Sequence, residues 1–254
     1  MPPKIAITVP IYISNENLMN YFHRLVVSIQ TKYEWVLIPV INASTQVLFF
    51  PRNSVVLDGR QPQGVAKAWN DGIRKSIELG CKYCIVANQD IAFRGESIDN
   101  LIDFMETYSD VDVGSMTECT DLGQMVAPKE LNNAPTSLHW SCFVVRDSHF
   151  DKFGEFDENF MPAYFEDNDM GTRVTLAGGK CCGNTGSLFY HIGSATLKND
   201  GNLSSQNGTT YEANHQYFLR KWGRDPCGDR EELLRSFHHH PYNEQDKDIK
   251  YWRH

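Results

Sequence analysis

The chain lacks the apolar run of about 18 residues that a membrane-spanning helix needs, and it opens on a strand-like segment where a secretory leader would place a basic and then an apolar stretch. Both absences lead to the expectation of a soluble, cytoplasmic protein with no membrane span. Positive charge is scarce: 24 Lys and Arg against 32 Asp and Glu leave a formal charge of -8. A broad nucleic-acid footprint needs clustered cations that displace counterions, so that partner class fits poorly, although a local basic groove stays open. A small phosphate-bearing ligand remains compatible, because a bound metal can supply the charge the protein lacks. Paired thiols are missing too. Seven cysteines, Cys81, Cys84, Cys119, Cys142, Cys181, Cys182 and Cys227, cannot form a complete disulfide framework within one chain. Cys81 and Cys84 match C-x-x-C, but no second pair follows at zinc-site spacing, and they read as small buried apolar residues.

What is present is the composition of an ordinary folded protein, 254 residues with 41% hydrophobic and 22% charged residues, enough to bury a full core. No internal repeat or linker divides it, so one domain over residues 1–254 is expected. Within it, residues 1–110 read as a nucleotide-binding half, 111–195 as an acceptor and catalytic half, and 196–254 as a mobile loop, a helix and a tail. Lys4 to Val9 reads as a buried strand that Pro10 is expected to stop. Leu18, Phe22, Leu25, Val26 and Ile29 recur at helical spacing after the possible caps Ser14 and Asn15. Trp35–Ile41, Ser54–Leu57 and Lys82–Ala87 read as further strands, and Val65–Leu79 and Ser97–Tyr108 as helices, the former opened near Gly64 and closed by Gly80. Alternation of this kind indicates an α/β fold with a mostly parallel sheet flanked by helices, in which ligands bind beyond the carboxyl ends of the strands. Pro10, Tyr12, Asn42, Asn88 and Asp90 all fall at that edge.

The second half has Val111–Met116 and His139–Val145 as strands, Asp169–Ala177 as a helix, and Lys180–Gly193 as a strand region. Leu197–Thr210, rich in Gly, Asn and Ser, reads as a mobile loop, and Tyr211–Trp222 as a helix. Glu166, Asp167 and Asp169 concentrate three carboxylates in four positions. Such groups repel one another, so a fold keeps them together chiefly around a cation, a proton in transit or a polar ligand. A helix N-terminus, where acids are favoured, is the plainer explanation. Asp90 closes an apolar strand and His191 sits in Phe189-Tyr190-His191-Ile192-Gly193; with the acidic cluster they could hold a divalent metal and a base. A turn aspartate and a hydrogen-bonded core histidine are the competing readings. Trp140 offers either a sugar-stacking face or core packing. His238-His239-His240 reads as a solvated run, because adjacent residues point in different directions, and the sequons at Asn202 and Asn207 read as loop composition.

The ordered motifs then resemble family 2 type glycosyltransferases with a GT-A fold. They are Val9-Pro10-Ile11-Tyr12; Gly64-Val65-Ala66-Lys67-Ala68-Trp69-Asn70-Asp71-Gly72; Ala87-Asn88-Gln89-Asp90; Phe153 to Phe160; Tyr164 to Arg173 with Ala177-Gly178; and His191-Ile192-Gly193-Ser194. Together they cover Lys4 to about Ser194 and look closest to the rhamnosyltransferase-like branch, where Asn-x-Asp stands in place of Asp-x-Asp. The resemblance implies a Rossmann-like single-domain GT-A fold. It implies an inverting transfer from a nucleotide-diphosphate sugar (UDP-, dTDP- or GDP-linked) to a hydroxyl of a glycan or other acceptor. Asp90 and His191 would be ligands of Mn²⁺ or Mg²⁺, Asp167 the general base, and Pro10, Tyr12, Asn42, Asn70 and Asn88 the nucleotide contacts. Glu166 or Asp169 would orient the acceptor or support the base; the sequence alone does not separate the three acids. Two departures stand out: Asn42 where many members have Asp, and Asn88 in place of the first acid of Asp-x-Asp. A sugar nucleotidyltransferase would need a glycine-rich loop after the first strand, and Val9–Leu18 has no glycine. A catalytically silent carbohydrate-binding protein on the same fold is the other alternative. A single domain without an anchor would also suit a virus- or phage-encoded transferase.

Overall fold

The computed structural model describes residues 2–46, 48–59, 63–126, 133–226 and 229–237. Strand β1 (Ile5–Ile13) lies at the middle of the sheet, and α1 (Glu16–Val27) follows it. Asn15 caps α1 by accepting a hydrogen bond from the Leu18 amide at 3.1 Å, while Leu18, Phe22 and Leu25 recur on the buried face. Then come β2 (Trp35–Ser44), the short β3 (Leu57–Asp58), α2 (Val65–Glu78), β4 (Tyr83–Ala87), β5 (Ile91–Phe93) and α3 (Ser97–Thr107). The second half contributes β6 (Val113–Cys119), α4 (Leu122–Val126), β7 (Pro135–Thr136), β8 (Cys142–Arg146), α5 (His149–Phe153), α6 (Glu166–Leu176), β9 (Cys181–His191), α7 (Ala195–Asn199), α8 (Gly201–Trp222) and α9 (Arg230–Phe237).

One sheet runs β3-β2-β1-β4-β8-β6-β9-β5, with β7 paired to β9. The parallel expectation holds for β3, β2, β1 and β4 and again for β6 with β9; β8 runs against both of its neighbours. Alternation along β1 divides the core. Ile5, Ile7, Val9 and Ile11 join α1 and α3 on one face, and Ala6 joins Trp69 and Ile73 of α2 and Met170 and Val174 of α6 on the other. Helix α2 lies so close to β1 that a Cβ on Gly72 would stand 1.9 Å from the Thr8 hydroxyl.

Several expectations are corrected. Strand β1 does not stop at Pro10 but continues to Ile13. Its ladder with β4 ends at Thr8 opposite Val86, so Pro10 removes no rung on that side. The third strand is Leu57–Asp58, and Ser54 makes only an isolated bridge to Leu37. The segment 197–210 is not a loop but belongs to α7 and the first half of α8. Its composition disfavours a helix, yet the Asp200 carboxylate accepts from the Asn202 and Leu203 amides, each at 3.1 Å, and the far end of α8 buries Phe218 and Trp222 with Phe160 and Phe165. Packing and a cap override intrinsic preference. Cys81 and Cys84 are buried free thiols, and burial pushes Cys84 up to about 12. Cys227 and His238-His239-His240 lie outside the described residues.

Candidate active site

A cleft of about 990 Å³ opens at the carboxyl edge of β1, β2 and β4. Pro10, Tyr12, Asn42, Asn88, Asp90, Trp140, Glu166, Asp167 and His191 line it together. Residues from six separate stretches of sequence thus converge on one surface. Asn70 and Asp169 are not among the lining residues, and their surroundings explain why.

Asn70 is fully buried in α2. Its amide donates to the Phe156 carbonyl at 2.9 Å and accepts from the Phe156 amide at 2.8 Å, so it ties 153–160 to α2. Asp169 is also fully buried. Arg173 and Lys221 stand 2.9 and 2.7 Å from it, and the Trp222 indole donates to it at 2.9 Å. Burial alone would raise its carboxyl, but the two cations hold it below the usual range. Asp169 is therefore a buried, ion-paired carboxylate away from the cleft.

The first wall comes from strand ends. Asn88 begins the turn after β4, and its amide donates to the Ser141 carbonyl at 3.0 Å. Gln89 points back toward β1: its side chain accepts from the Tyr12 amide at 2.8 Å and donates to the Tyr12 carbonyl at 2.7 Å and to Thr196 at 3.1 Å. The middle residue of Asn88-Gln89-Asp90 thus locks the last residues of β1, a role the motif did not reveal. Tyr12 lines the cleft, but its hydroxyl donates to Asp200 at 2.9 Å. Asn42 accepts from the Gln63 amide. Asp90 is 7% exposed; its Oδ2 accepts from the Ala195 amide at 3.3 Å and its Oδ1 stands 3.4 Å from His191 Nε2. Burial alone would lower the His191 imidazole, but Asp90 and then Glu118 raise it.

The second wall is the start of α6. Tyr164 and Phe165 precede it with φ of 81° and 74°, in the left-handed region that side chains rarely adopt. Such residues cost about 1–3 kcal/mol each and persist where their surroundings impose them. Here α8 does so. Asn214 donates to the Ala163 and Tyr164 carbonyls at 2.8 and 3.3 Å, the Phe165 ring stacks on His215 at 5.3 Å, and Tyr211 packs edge-on against Tyr164 at 5.4 Å. The turn sends Glu166 and Asp167 into the cleft. Burial, reinforced by the neighbouring Asp167 charge, raises the Glu166 carboxyl well above the usual range, and its Oε2 is buried without a partner. Burial also raises Asp167, against the pull of the Asn168 amide. Two adjacent carboxyls, both raised by burial and the first the more strongly, form a pair suited to proton exchange with a ligand.

Trp140 lines the cleft, and its ring meets Phe143 edge-on at 5.0 Å. Trp69 was missed by sequence reasoning; it lines the cleft, and its buried indole N–H has no partner. Gly64 opens α2 with φ of 79°, and a Cβ there would meet Met161 Sδ at 2.4 Å across the cleft mouth. Among the described residues no three His, Cys, Asp or Glu side chains form a metal-ready group. Asp90 Oδ1 and His191 Nε2 do fit two adjacent corners of a hard-cation site: ligands at about 2.0–2.1 Å around an octahedron stand roughly 3 Å apart, and such ions keep phosphate oxygens and waters in their other positions.

Neither a family model nor a curated protein sequence matches the chain. Solved structures do. S. aureus TarS 1-349 superposes with a TM-score of 0.54 at 16% identity over 85% of this chain and 73% of its own. The same TarS fragment in complex with UDP-GlcNAc gives 0.53 at 15% identity, over 74% and 58%. GalNAc-T7 with UDP, GalNAc and Mn²⁺ gives 0.60 at 12% identity, over 96% of this chain and 53% of that one. The chain spans about half the length of GalNAc-T7 and from just over half to nearly three quarters of the TarS fragment. The shared feature is the α/β fold of the GT-A glycosyltransferases. Among the described residues no helix is long and apolar enough to cross a membrane.

Proposed function

We propose that this chain is an inverting glycosyltransferase that moves a sugar from a nucleoside-diphosphate donor to an acceptor hydroxyl. The observation that carries the reading is the meeting, in one cleft, of Asp90 and His191 from the strand edge with Glu166 and Asp167 from the start of α6. The solved structures sharing the fold include complexes with UDP, UDP-GlcNAc and Mn²⁺, which supports a nucleotide-sugar donor here. Kinship with the rhamnosyltransferase-like branch rests on Asn88-Gln89-Asp90 and leaves the base as UDP, dTDP or GDP.

The strand edge formed by Pro10, Tyr12, Asn42 and Asn88 receives the nucleotide. Asp90 and His191 would hold the divalent cation, Mn²⁺ or Mg²⁺, which supplies positive charge for the departing diphosphate. A sugar hydroxyl is a poor nucleophile, so it needs a base within hydrogen-bond reach. Asp167 takes its proton as the oxygen attacks the anomeric carbon from the side opposite the nucleotide, which inverts the configuration. General base catalysis of this kind contributes about 10² to 10⁴ in rate. Glu166, whose carboxyl burial raises well above the usual range, presents an unpartnered oxygen to the substrate and orients the acceptor. Trp140 offers an aromatic face to an acceptor sugar.

The test is donor consumption and transfer with a panel of UDP-, dTDP- and GDP-sugars and Mn²⁺, on the native protein, Asp90→Ala and Asp167→Asn. Loss of nucleotide-dependent turnover in both variants with folding intact is the expected result. Unchanged turnover in either variant removes that residue from the mechanism. Sugar binding without any need for nucleotide or cation supports a silent carbohydrate-binding protein.

A further inference from the structure

Strands β6 and β9 run parallel with Glu118 opposite Phe189. Residues two apart on a strand share a face, so Glu118 and His191 project to the same side, one step apart along the ladder. There Glu118 Oε2 stands 3.3 Å from His191 Nδ1, while Nε2 of the same ring stands 3.4 Å from Asp90 Oδ1. A carboxylate thus meets each nitrogen of a single imidazole. Asp90 lines the cleft; Glu118 is not among the lining residues and approaches the ring from behind. His139 Nδ1 adds a longer tie, 3.9 Å from the same Glu118 oxygen.

We propose that Glu118 is a positioning residue for the cation site: it accepts the Nδ1–H of His191 and so turns the Nε2 lone pair toward the cation shared with Asp90. The inference rests on the cation reading given above and assigns a role to a residue outside every motif. Its physical basis is the two-sidedness of imidazole. A neutral ring carries one N–H, and the partner of one nitrogen decides what the other offers. A carboxylate behind a ligating histidine sets the ring orientation and increases the basicity of the ligating nitrogen; loss of such a partner typically costs 10- to 100-fold in metal affinity. Asp90 is held in turn by the Ala195 amide, so both protein donors have outer partners.

The experiment measures Mn²⁺ binding in the presence of UDP, from the electron paramagnetic resonance signal of free Mn²⁺, for the native protein, Glu118→Gln and Glu118→Ala. It is paired with ¹⁵N shifts of the His191 ring at saturating Mg²⁺. Circular dichroism establishes that each variant is folded. The expected result is a proton on Nδ1 of His191 in the native protein, about 10- to 100-fold weaker Mn²⁺ binding in Glu118→Ala, and a smaller loss in Glu118→Gln, which keeps an acceptor oxygen. Affinity in the alanine variant within twofold of native overturns the proposal, as does a His191 ring protonated on Nε2 with Mg²⁺ present. If Glu118→Ala does not fold, affinity in Glu118→Gln undiminished from native overturns it. Failure of the native protein to bind Mn²⁺ overturns the cation reading itself, a result distinct from a native protein that binds and an indifferent variant.

Discussion

Asp90 and His191 reach the cleft from the ends of sheet strands, whereas Glu166 and Asp167 reach it from the first turn of α6, behind two left-handed residues braced by α8. On the first side the backbone ladder sets position. β5 pairs Ile91 with His191, which brings Asp90 alongside, and Gln89 stitches the turn to Tyr12. On the second side position depends on side chains of a helix about fifty residues later, Asn214, Tyr211 and His215, gripping an otherwise unfavourable turn. A wall made by ladder register tolerates the loss of one side chain better than a wall made by a clamp. The two should therefore fail differently.

The largest expected effect comes from the ion cluster beneath the second wall. Asp169→Asn leaves Arg173 without its buried anion and Lys221 with Asp157 alone, and removing one member of such a pair costs about 3–5 kcal/mol. Urea unfolding should show that loss, and a change within the error of the measurement would show that the cluster does not hold α8 to α6.

Next come two matched deletions. Asn214→Ala frees the Ala163 and Tyr164 carbonyls, and Gln89→Ala frees the Tyr12 amide and carbonyl; each removes buried hydrogen bonds at a cost of about 1–3 kcal/mol. The comparison predicts that Asn214→Ala lowers kcat with nucleotide affinity retained, while Gln89→Ala weakens nucleotide affinity first. Identical kinetic signatures for the two would erase the distinction between the walls.

A third test uses pH. His149 is buried among Phe150, Phe153 and Phe156, and burial, with Arg173 and Lys152 nearby, pulls its imidazole down to about 3. The folded pKa is below the unfolded one of about 6.5, so the unfolded chain binds the extra proton. Stability is then full above about pH 6.5 and is lost as pH falls toward 3, by about 2 kcal/mol at pH 5. His149→Phe should remove that part of the acid sensitivity, seen as a flatter plot of unfolding free energy between pH 7 and 5. An unchanged slope would mean that His149 is protonated without penalty.

The smallest effect is at the junction of the walls. Tyr12→Phe deletes the hydrogen bond to Asp200 at the start of α8, worth about 0.5–1.5 kcal/mol. Faster amide exchange in the first turns of α8, with β1 unaffected, is the expected readout.

The strand-edge wall was largely legible in the sequence, because apolar runs that give way to polar residues near Pro10, Asn42 and Asn88-Gln89-Asp90 lie within three residues of the strand exits, and a parallel sheet gathers its exits at one edge. The acidic cluster was legible as a site but not as a division of labour. Only the helical spacing of Asp169, Arg173 and the distant Lys221 separates the structural anion from Glu166 and Asp167. Asn70 shares a motif with the cleft-lining Gly64, Val65 and Trp69, while the helix turns it to Phe156. Glu118 was invisible, since the strand was expected to end at Met116 and only the β6–β9 register brings it to His191. The first half of α8 was read as a loop because its composition is that of a loop; the cap at Asp200 and the burial of Phe218 and Trp222 are tertiary facts.

Strand β8 runs opposite to β4, so its first residue, Cys142, pairs with Ala87, the last of β4. A row of parallel strands offers only exits at this rim, and one reversed strand gives it an entrance. Residues 137–141, Trp140 among them, are delivered there without a crossover helix to fix their number. This stretch is a natural grafting point: exchanging or lengthening it should redraw which molecules the cleft accepts while every rung of the ladder behind it keeps its partner.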